Sequence, residues 1–145
     1  MNNEYRTAIT RKSLSKPMRF LQSIKAIQGR ALDYGCGKGQ CADKLEMNKF
    51  DPHFMPEEPT GKFDTITNNY VLNVIESKEE RNKVLNKIKS LLTESGTAYI
   101  SVRNDKKNLN GKTLRGTWQG HIILDLPVEK KDAGFIMYRL DNHQG

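Results

Sequence analysis

Residues 30–40 read Arg-Ala-Leu-Asp-Tyr-Gly-Cys-Gly-Lys-Gly-Gln, and this stretch decides the fold. Residues 30–34 predict a short buried strand, which delivers Asp33 into a turn where every second residue is glycine. Glycines allow tight backbone geometry and let a ligand lie against the main chain. Residues 40–47 predict a short helix, whose first backbone N–H groups lack partners within the helix. The segment therefore predicts a ligand-binding turn at the end of a buried strand.

The spacing of these glycines separates three kinds of nucleotide pocket. A P-loop requires Gly-Lys-Ser/Thr after four intervening residues, and residues 37–39 do not provide it. A dinucleotide fold requires G-x-G-x-x-G, whose third glycine would fall where Gln40 stands. The pattern that remains is D-x-G-x-G-x-G over residues 33–39. The alternative interpretation is a plain connector in which Asp33 caps the helix.

The D-x-G-x-G-x-G turn resembles that of class I methyltransferases, which use S-adenosylmethionine (SAM). The resemblance implies that the turn supports the methionine part of SAM, with Asp33 near its amino group. An acid suits that place, because the ammonium and the sulfonium of SAM are both positive. The resemblance also implies a ribose-binding acid at Asp51, about twenty residues after the turn begins. The alternative is that Asp51-Pro52 only forms a turn.

Residues 63–75 resemble the fourth strand of that family and the loop after it, where the reacting methyl group faces the substrate. Asn69 and Tyr70 are therefore the candidate catalytic residues, at the usual ligand edge of a parallel sheet. Amino-methylating DNA enzymes carry Asp/Asn-Pro-Pro-Tyr/Phe at this place, and residues 68–70 contain no proline, so exocyclic amine chemistry is not assigned. Tyr70 either positions the acceptor or packs in the core. The residues expected in the core are Val71, Leu72 and Ile75.

A wider resemblance covers residues 7–17, 33–37, 50–52 and 70–75. These segments are similar to a bacterial and phage group that includes methyltransferase-like proteins associated with DNA phosphorothioation. The SAM-binding residues that the resemblance implies are Arg11, Asp33, Tyr34, Gly35, Cys36, Gly37, Asp51, Pro52, Asn68, Asn69 and Tyr70.

The rest of the chain predicts an α/β fold, a reduced Rossmann-like class I methyltransferase fold. Helices are expected from the Ser15 cap to Gln28-Gly29, and from the Ser77-Glu80 capping box to a C-terminal cap at Gly96. The expected strands after the first are residues 63–68, 97–102, 121–126 and 134–140. The last two would form an antiparallel hairpin on a mostly parallel sheet.

One strand–helix unit of the full fold is expected to be missing. Only residues 52–62 separate Asp51 from the strand at Phe63, and a crossover helix with its loops takes about 10–12 residues by itself. The acid that contacts adenine in the family usually follows that absent strand, so it is not assigned.

The chain predicts a single domain over residues 1–145, with a basic helical segment (1–29), a Rossmann-like core (30–103) and a basic loop with the hairpin (104–145). Residues 1–30 hold seven basic residues and one acid, residues 103–115 hold five and one, and the whole chain has a net charge of +7. The basic segments 6–19 and 103–115 predict DNA or RNA as a partner, with Trp118 stacking on a base. The alternative is two solvated loops with Trp118 packed beneath them.

Composition excludes several other classes of protein. No apolar stretch approaches the roughly 20 residues of a membrane span, so no membrane partner is expected. The cysteines, Cys36 and Cys41, are expected to be reduced, as suits a cytoplasmic protein, and Cys36 is expected to pack rather than act as a nucleophile. Cysteines and histidines lack metal-ligand spacing, so no metal is expected. No general base stands out, and well-aligned methyl transfer needs little acid–base help.

These observations predict a SAM-dependent methyltransferase whose acceptor is nucleic acid. Three alternatives remain at this point. The acceptor is a small molecule, the protein binds or depletes SAM in a phage setting without transferring the methyl group, or the fold is only the scaffold of a nucleic-acid-binding module.

Overall fold

A computed structural model of the chain describes residues 13–105, 110–112 and 118–142, and the side chains of residues 110–112 are not included. The helices in this part are α1 (Lys16–Ser23), α2 (Gln40–Lys44) and α3 (Lys78–Ser90), with a single 3-10 turn at Leu72–Val74. The strands are β1 (Ala31–Tyr34), β2 (Asn48–Phe50), β3 (Phe63–Asn69), β4 (Leu92–Arg103), β5 (Asn110–Lys112), β6 (Trp118–Gly120), β7 (Val128–Lys131) and β8 (Phe135–Asp141).

Six strands form the central sheet in the order β2-β1-β3-β4-β8-β7, and β5 pairs with β6 in a separate ribbon. Strands β2, β1, β3 and β4 run parallel to one another. Strand β8 is antiparallel to both β4 and β7. The mostly parallel sheet with an antiparallel C-terminal hairpin confirms the fold predicted from the sequence.

The connection between β2 and β3 is the reduced part of the fold. Residues 52–62 contain no helix or strand, and the one ladder element there is an isolated bridge between Asp51 and Met55. Strand β2 is therefore an edge of the sheet. The prediction that one strand–helix unit is missing agrees with this topology.

Apolar side chains cover both faces of the sheet. One face packs against α3 and the 3-10 turn, and its buried residues include Leu32, Ile66, Ile88, Ile100, Val102 and Ile136. The other face packs against α1 and α2, and its buried residues are Met18, Leu21, Ala31, Ala42, Met47, Phe135 and Met137. Because successive strand residues alternate between faces, Asp33, Thr67 and Asn69 share the α1 face near the end of the parallel strands.

Both short helices end earlier than the sequence predicts. Helix α1 begins after Ser15, whose hydroxyl accepts the N–H of Met18, but it ends at Ser23 rather than near Gly29. At each end a left-handed residue turns the chain, Lys25 after α1 and Glu46 after α2, both with φ of 56°. The N–H of the following residue then donates to a carbonyl of the helix, from Ala26 N to Leu21 O at 3.0 Å and from Met47 N to Ala42 O at 2.8 Å. This C-cap usually takes glycine, so a lysine and a glutamate gave no signal in the sequence.

Gly96 does not cap the long helix, contrary to the sequence prediction. Ser77 does cap its start, accepting the N–H of Glu80 at 3.2 Å. The helix ends at Ser90, and the chain enters β4 at Leu92 without a loop. Gly96 lies inside β4, where a Cβ would stand 2.9 Å from the carbonyl oxygen of Phe63. Close packing of two backbones, rather than a helix end, therefore explains the glycine.

The first hairpin strand is also displaced from the prediction. Residues 121–126 form no strand, and β7 begins at Val128. Ile122 is buried while Ile123 is 76% exposed, so the apolar alternation in this segment arises from packing on the core without strand pairing. Pairing with β8 starts where Arg139 N donates to Pro127 O at 2.9 Å. The second strand, predicted at 134–140, is Phe135–Asp141.

We expect Gly96→Ala and Gly96→Asn both to lower the free energy of unfolding by about 1–3 kcal/mol, because any Cβ meets the Phe63 carbonyl. Urea unfolding monitored by circular dichroism measures this. Gly134→Ala is the control, because a Cβ there meets side-chain atoms no closer than 3.4 Å. An asparagine tolerated at position 96 would instead indicate a left-handed helix cap.

Candidate active site

A cavity of about 550 Å³ opens at the carboxyl ends of the parallel strands. The predicted site residues that line it are Asp33, Gly35, Cys36, Gly37, Asp51, Asn69 and Tyr70. Three described residues of the prediction, Tyr34, Pro52 and Asn68, are not in its lining. Arg11 lies outside the described residues, as do residues 6–12 and most of segment 103–115. Seven of the ten predicted site residues that the structure describes therefore line one cavity.

The glycine turn is fixed against the end of β2. The N–H groups of Gly35 and Cys36 both donate to the carbonyl of Phe50, at 2.7 and 2.9 Å. Gly35 has φ of +94°, and a Cβ there would lie 2.4 Å from Val71 Cγ2. Only glycine fits that position, because both the backbone conformation and the neighbouring side chain exclude a larger residue. At Gly35 the turn therefore presents its main chain to the cavity.

Asp33 is a buried acid in the cavity wall. It is 5% exposed, and its Oδ1 accepts the hydroxyl of Thr67 at 2.8 Å. Burial raises its pKa from 3.8 to about 7, the bond from Thr67 opposes the rise, and repulsion from Asp51 adds to it. Since a bound cation favours the ionised form, this carboxyl is suited to a positively charged ligand.

Asp51 is buried beside the turn, and three backbone N–H groups bind its carboxylate. Gly37 N donates to Oδ2 at 2.9 Å, while His53 N and Phe54 N donate to Oδ1 at 2.9 and 3.1 Å. These bonds join the glycine turn to the loop that follows β2. Because each carboxylate oxygen has two lone pairs, Oδ2 retains one acceptor site toward a ligand.

Asn69 and Tyr70 lie at the carboxyl end of β3. Asn69 is paired with Ser101 in β4, and Tyr70 N donates to Ser101 O at 2.8 Å. Tyr70 has φ of +62°, a left-handed conformation that costs a non-glycine residue roughly 1–2 kcal/mol. Its half-buried ring packs against the α1 side of the core and also lines the cavity. Both interpretations of Tyr70 thus describe part of its position, whereas Val71, Leu72 and Ile75 are buried as expected.

Sequence reasoning missed several residues of the cavity wall. Arg103 lies at the end of β4 and makes two 2.8 Å bonds to the carboxylate of Asp105. Both follow a predicted strand at the ligand edge, so the position of that strand end was the available signal. Asn73 and Gln119 also line the cavity. Asn73 falls within the resembling segment 63–75 without being singled out there, and its contact with Gln119 could not be predicted because the 3-10 turn and β6 meet only in the folded chain.

The structure also bears on the side chains considered for other roles. Burial raises the pKa of Cys36 to about 12, so it stays a thiol and is no nucleophile. Trp118 is half-buried against the core, with the Arg81 guanidinium 5.9 Å from its ring centroid. This placement favours the packed alternative over stacking on a base.

The described residues also lack two other kinds of feature. They contain no group of three or more His, Cys, Asp or Glu side chains arranged to hold a metal ion. No helix among them has the length and apolar composition of a membrane span.

Comparison with known proteins adds the family. A family model described as a methyltransferase domain matches residues 4–127. N-methyltransferase NodS from Bradyrhizobium japonicum WM9, in complex with S-adenosyl-L-homocysteine, is similar with a TM-score of 0.58 and 12% identity, over 88% of this chain and 85% of that chain. A second NodS structure gives a TM-score of 0.52 and 10% identity, over 89% and 98%. The comparison with curated proteins gave no match.

The structural likeness at these identities shows the fold, and the family model covers most of the chain. The chain therefore belongs to the methyltransferase domain family and is a SAM-dependent methyltransferase with the class I fold.

Proposed function

We propose that the cavity at the carboxyl edge binds SAM and that the methyl acceptor is nucleic acid. The observation that supports the SAM site is the pairing of two buried acids, Asp33 and Asp51, with a glycine-rich turn in one cavity. The cavity volume of about 550 Å³ falls within the usual range for small-molecule sites, about 300–1,000 Å³.

Different residues of the cavity are proposed to bind different parts of SAM. Asp33 faces the positive methionine end, and its buried carboxylate is strongest toward a cation because little water screens it. Asp51 offers its remaining Oδ2 acceptor site to the ribose, and the backbone at Gly35 and Gly37 supports the chain between them. When bound, SAM supplies a methyl group on a positively charged sulfur. Tyr34, Pro52 and Asn68 do not line the cavity, so their contribution to this site is indirect.

Asn69 and Tyr70 are proposed to align the acceptor at the end of β3. Methyl transfer depends chiefly on placing the two reacting atoms in line, and correct orientation supplies a large part of the rate. The left-handed backbone at Tyr70 directs the chain away from β3, and the ring packs on the core beside the cavity. This alignment needs no general base among these residues.

The charge of the chain supports nucleic acid as the acceptor. Lys16, Lys38 and Arg103 line the cavity, and Asp105 balances the charge of Arg103. Further basic residues of segments 6–19 and 103–115 flank this part of the chain in sequence. The resemblance to the phosphorothioation-associated group of bacteria and phages adds DNA to this proposal. Two unpaired cysteines, Cys36 and Cys41, suit a reducing, cytoplasmic setting.

We expect SAM and S-adenosylhomocysteine to bind with one-to-one stoichiometry, whereas NAD and ATP do not bind. The reason is the glycine spacing, with Gln40 where a dinucleotide fold places glycine. Calorimetry and thermal shift with all four ligands measure this. Stabilisation by NAD but not by SAM would contradict the assignment of the cavity.

We expect Asp33→Asn to weaken SAM binding by about 1–3 kcal/mol near pH 8, because it removes a charge and keeps the shape. In the wild type, SAM affinity should rise between pH 6 and pH 8 as Asp33, with its pKa of about 7, ionises. The variant should lose that dependence. Calorimetry across the pH series measures both, and Asp125→Asn, at an exposed position, is the control.

Stability without ligand should change in the opposite sense. The folded pKa of Asp33 lies above 3.8, so the free energy of unfolding falls as pH rises from about 4 to about 7. Asp33→Asn should therefore unfold at a higher temperature than the wild type at pH 8 and at a similar temperature near pH 4. A variant that is less stable at pH 8 would show that the charge supports the fold instead.

We expect binding to single- and double-stranded DNA and RNA that weakens steeply with salt. Each phosphate contact to duplex DNA contributes about 0.9 to the slope of log affinity against log salt, so Lys106, Lys107 and Lys112 to Ala together should flatten it. Fluorescence anisotropy over a salt series measures the slope. Lys78, Lys83 and Lys87 to Ala on α3 remove equal charge away from the cavity and are the matched control. Absence of binding at low salt would redirect the proposal to a small-molecule acceptor.

A further inference from the structure

Two carboxamide side chains meet in the wall of the cavity. Asn73 lies in the 3-10 turn after β3, and Gln119 lies in the middle of β6. Asn73 Nδ2 donates to Gln119 Oε1 at 3.0 Å, and both residues line the cavity. Asn69 and Tyr70, the residues proposed to align the acceptor, line the same cavity.

Arg81 of α3 holds the elements that carry the two amides. Its Nη1 donates to the carbonyls of Ile75, at 2.5 Å, and Glu76, at 2.9 Å, just after the 3-10 turn. Its guanidinium also lies 5.9 Å from the ring centroid of Trp118, the residue before Gln119. The amide pair is therefore fixed from outside the cavity.

The amide pair has hydrogen-bonding capacity that the described residues do not use. Asn73 is 1% exposed, and its Oδ1 has no partner. No bond from Gln119 Nε2 is found within the described part of the chain. Burying an amide with an unmet acceptor is costly, and the neighbouring buried residues, Leu72 and Val74, are apolar. An apolar side chain at position 73 would avoid that cost, so the amide calls for a partner from outside the chain.

We infer that Asn73 and Gln119 recognise the methyl acceptor, and that this acceptor presents a hydrogen-bond donor beside a hydrogen-bond acceptor on one planar edge. Asn73 Oδ1 takes the donor of the ligand, and Gln119 Nε2 gives to its acceptor. Nucleobases carry such edges, and amide side chains pair with them in two-bond contacts. The inference rests on the proposed function, because it needs the cavity to hold SAM and acceptor together.

Charge does not compete with this recognition. Arg103, the cation at the end of β4, makes two bonds to Asp105, and the pair is neutral overall. Neutral amides discriminate by the direction of hydrogen bonds, so an acceptor with the wrong edge leaves buried groups unpaired and is rejected. The same edge occurs in a base within a polynucleotide and in a free nucleoside.

The test measures methyl transfer by the full chain from labelled SAM to homopolymeric oligonucleotides of each base and to the matching free nucleosides. Gln119→Met removes both amide groups at similar size, and Gln119→Glu replaces only the donating nitrogen. Each should raise KM for the preferred acceptor about tenfold, the loss of roughly one hydrogen bond, with SAM affinity by calorimetry unchanged. Gln22→Met on the exposed side of α1 is the matched control and should leave KM unchanged.

A second variant covers the buried amide. Asn73→Leu should raise KM in the same way, and it should not lower Tm, because the orphaned oxygen is removed. The inference is supported if the wild type methylates one kind of base and these variants raise KM for it. The acceptor is a polynucleotide if oligonucleotides react, and a nucleoside if only the free nucleoside reacts.

Three outcomes separate the possible failures. If the wild type does not bind SAM, the proposed function fails and the inference with it. If it binds SAM and methylates a base while the variants keep the wild-type KM, the inference alone is overturned. If it binds SAM and methylates only acceptors without such an edge, the inference is overturned and the SAM site stands.

Discussion

The carboxylate of Asp51 organises this small domain, because three backbone N–H groups converge on it. One belongs to Gly37 in the glycine turn, and two belong to His53 and Phe54 in the loop after β2. That loop stands where a complete class I fold would continue into a further helix and strand. Among the described residues, the edge strand β2 pairs only with β1, and the Asp51 side chain further fixes the loop that follows it. The geometry of the glycine turn therefore depends on one buried carboxylate.

That arrangement places two acids close together in a wall with little water. Asp51 accepts three backbone N–H groups, and repulsion from its carboxylate is one of the causes that raise the pKa of Asp33 to about 7. Ionising Asp33 is therefore unfavourable in this fold, and a cationic ligand would offset its repulsion from Asp51. Thr67, one strand away, is the only described side chain that hydrogen-bonds to Asp33 and limits the cost. The burial that makes the charge of Asp33 costly would also strengthen its attraction to a cation, because little water screens either interaction.

The sequence predicted the sheet better than the helix ends, for definite reasons. Glycine spacing, apolar runs and chain length between Asp51 and Phe63 are local signals, and they sufficed for the mostly parallel sheet, its antiparallel hairpin and the reduced connection. Lys25 and Glu46 end helices in a left-handed conformation that their residue types do not announce. Gly96 looked like a cap because its real constraint, the carbonyl of Phe63, is 33 residues away in sequence.

Within the candidate site, residues at strand ends could be predicted from the sequence, whereas a contact between distant segments could not. Asp33 and Asn69 lie at the carboxyl ends of β1 and β3, where strands were predicted, and Asp51 follows β2, so their convergence at one edge follows from parallel pairing. The Arg103–Asp105 ion pair follows from the same rule applied to β4. Asn73 and Gln119 could not be paired from the sequence, because their contact requires the β5–β6 ribbon to fold back over the 3-10 turn.

The two ends of the sheet differ in how fully their polar groups are satisfied. At the amino end, Asp64 accepts from Arg30 N and Thr93, and Asn142 donates to two carbonyls of β4. The buried side-chain atoms without partners in the described residues all lie near the carboxyl end, and they are Asn68 Oδ1, Asn69 Oδ1, Asn73 Oδ1 and Ser101 Oγ.

The strained backbone of Tyr70 lies at that same end. Unmet hydrogen bonds and backbone strain each cost stability, so a fold tolerates them together only where something else repays the cost. A cofactor and an acceptor that bind at this edge would supply the missing partners. The concentration of unpaired polar atoms and backbone strain at the carboxyl end of the sheet is thus an argument for a binding site there. It is independent of the glycine motif because it involves other residues.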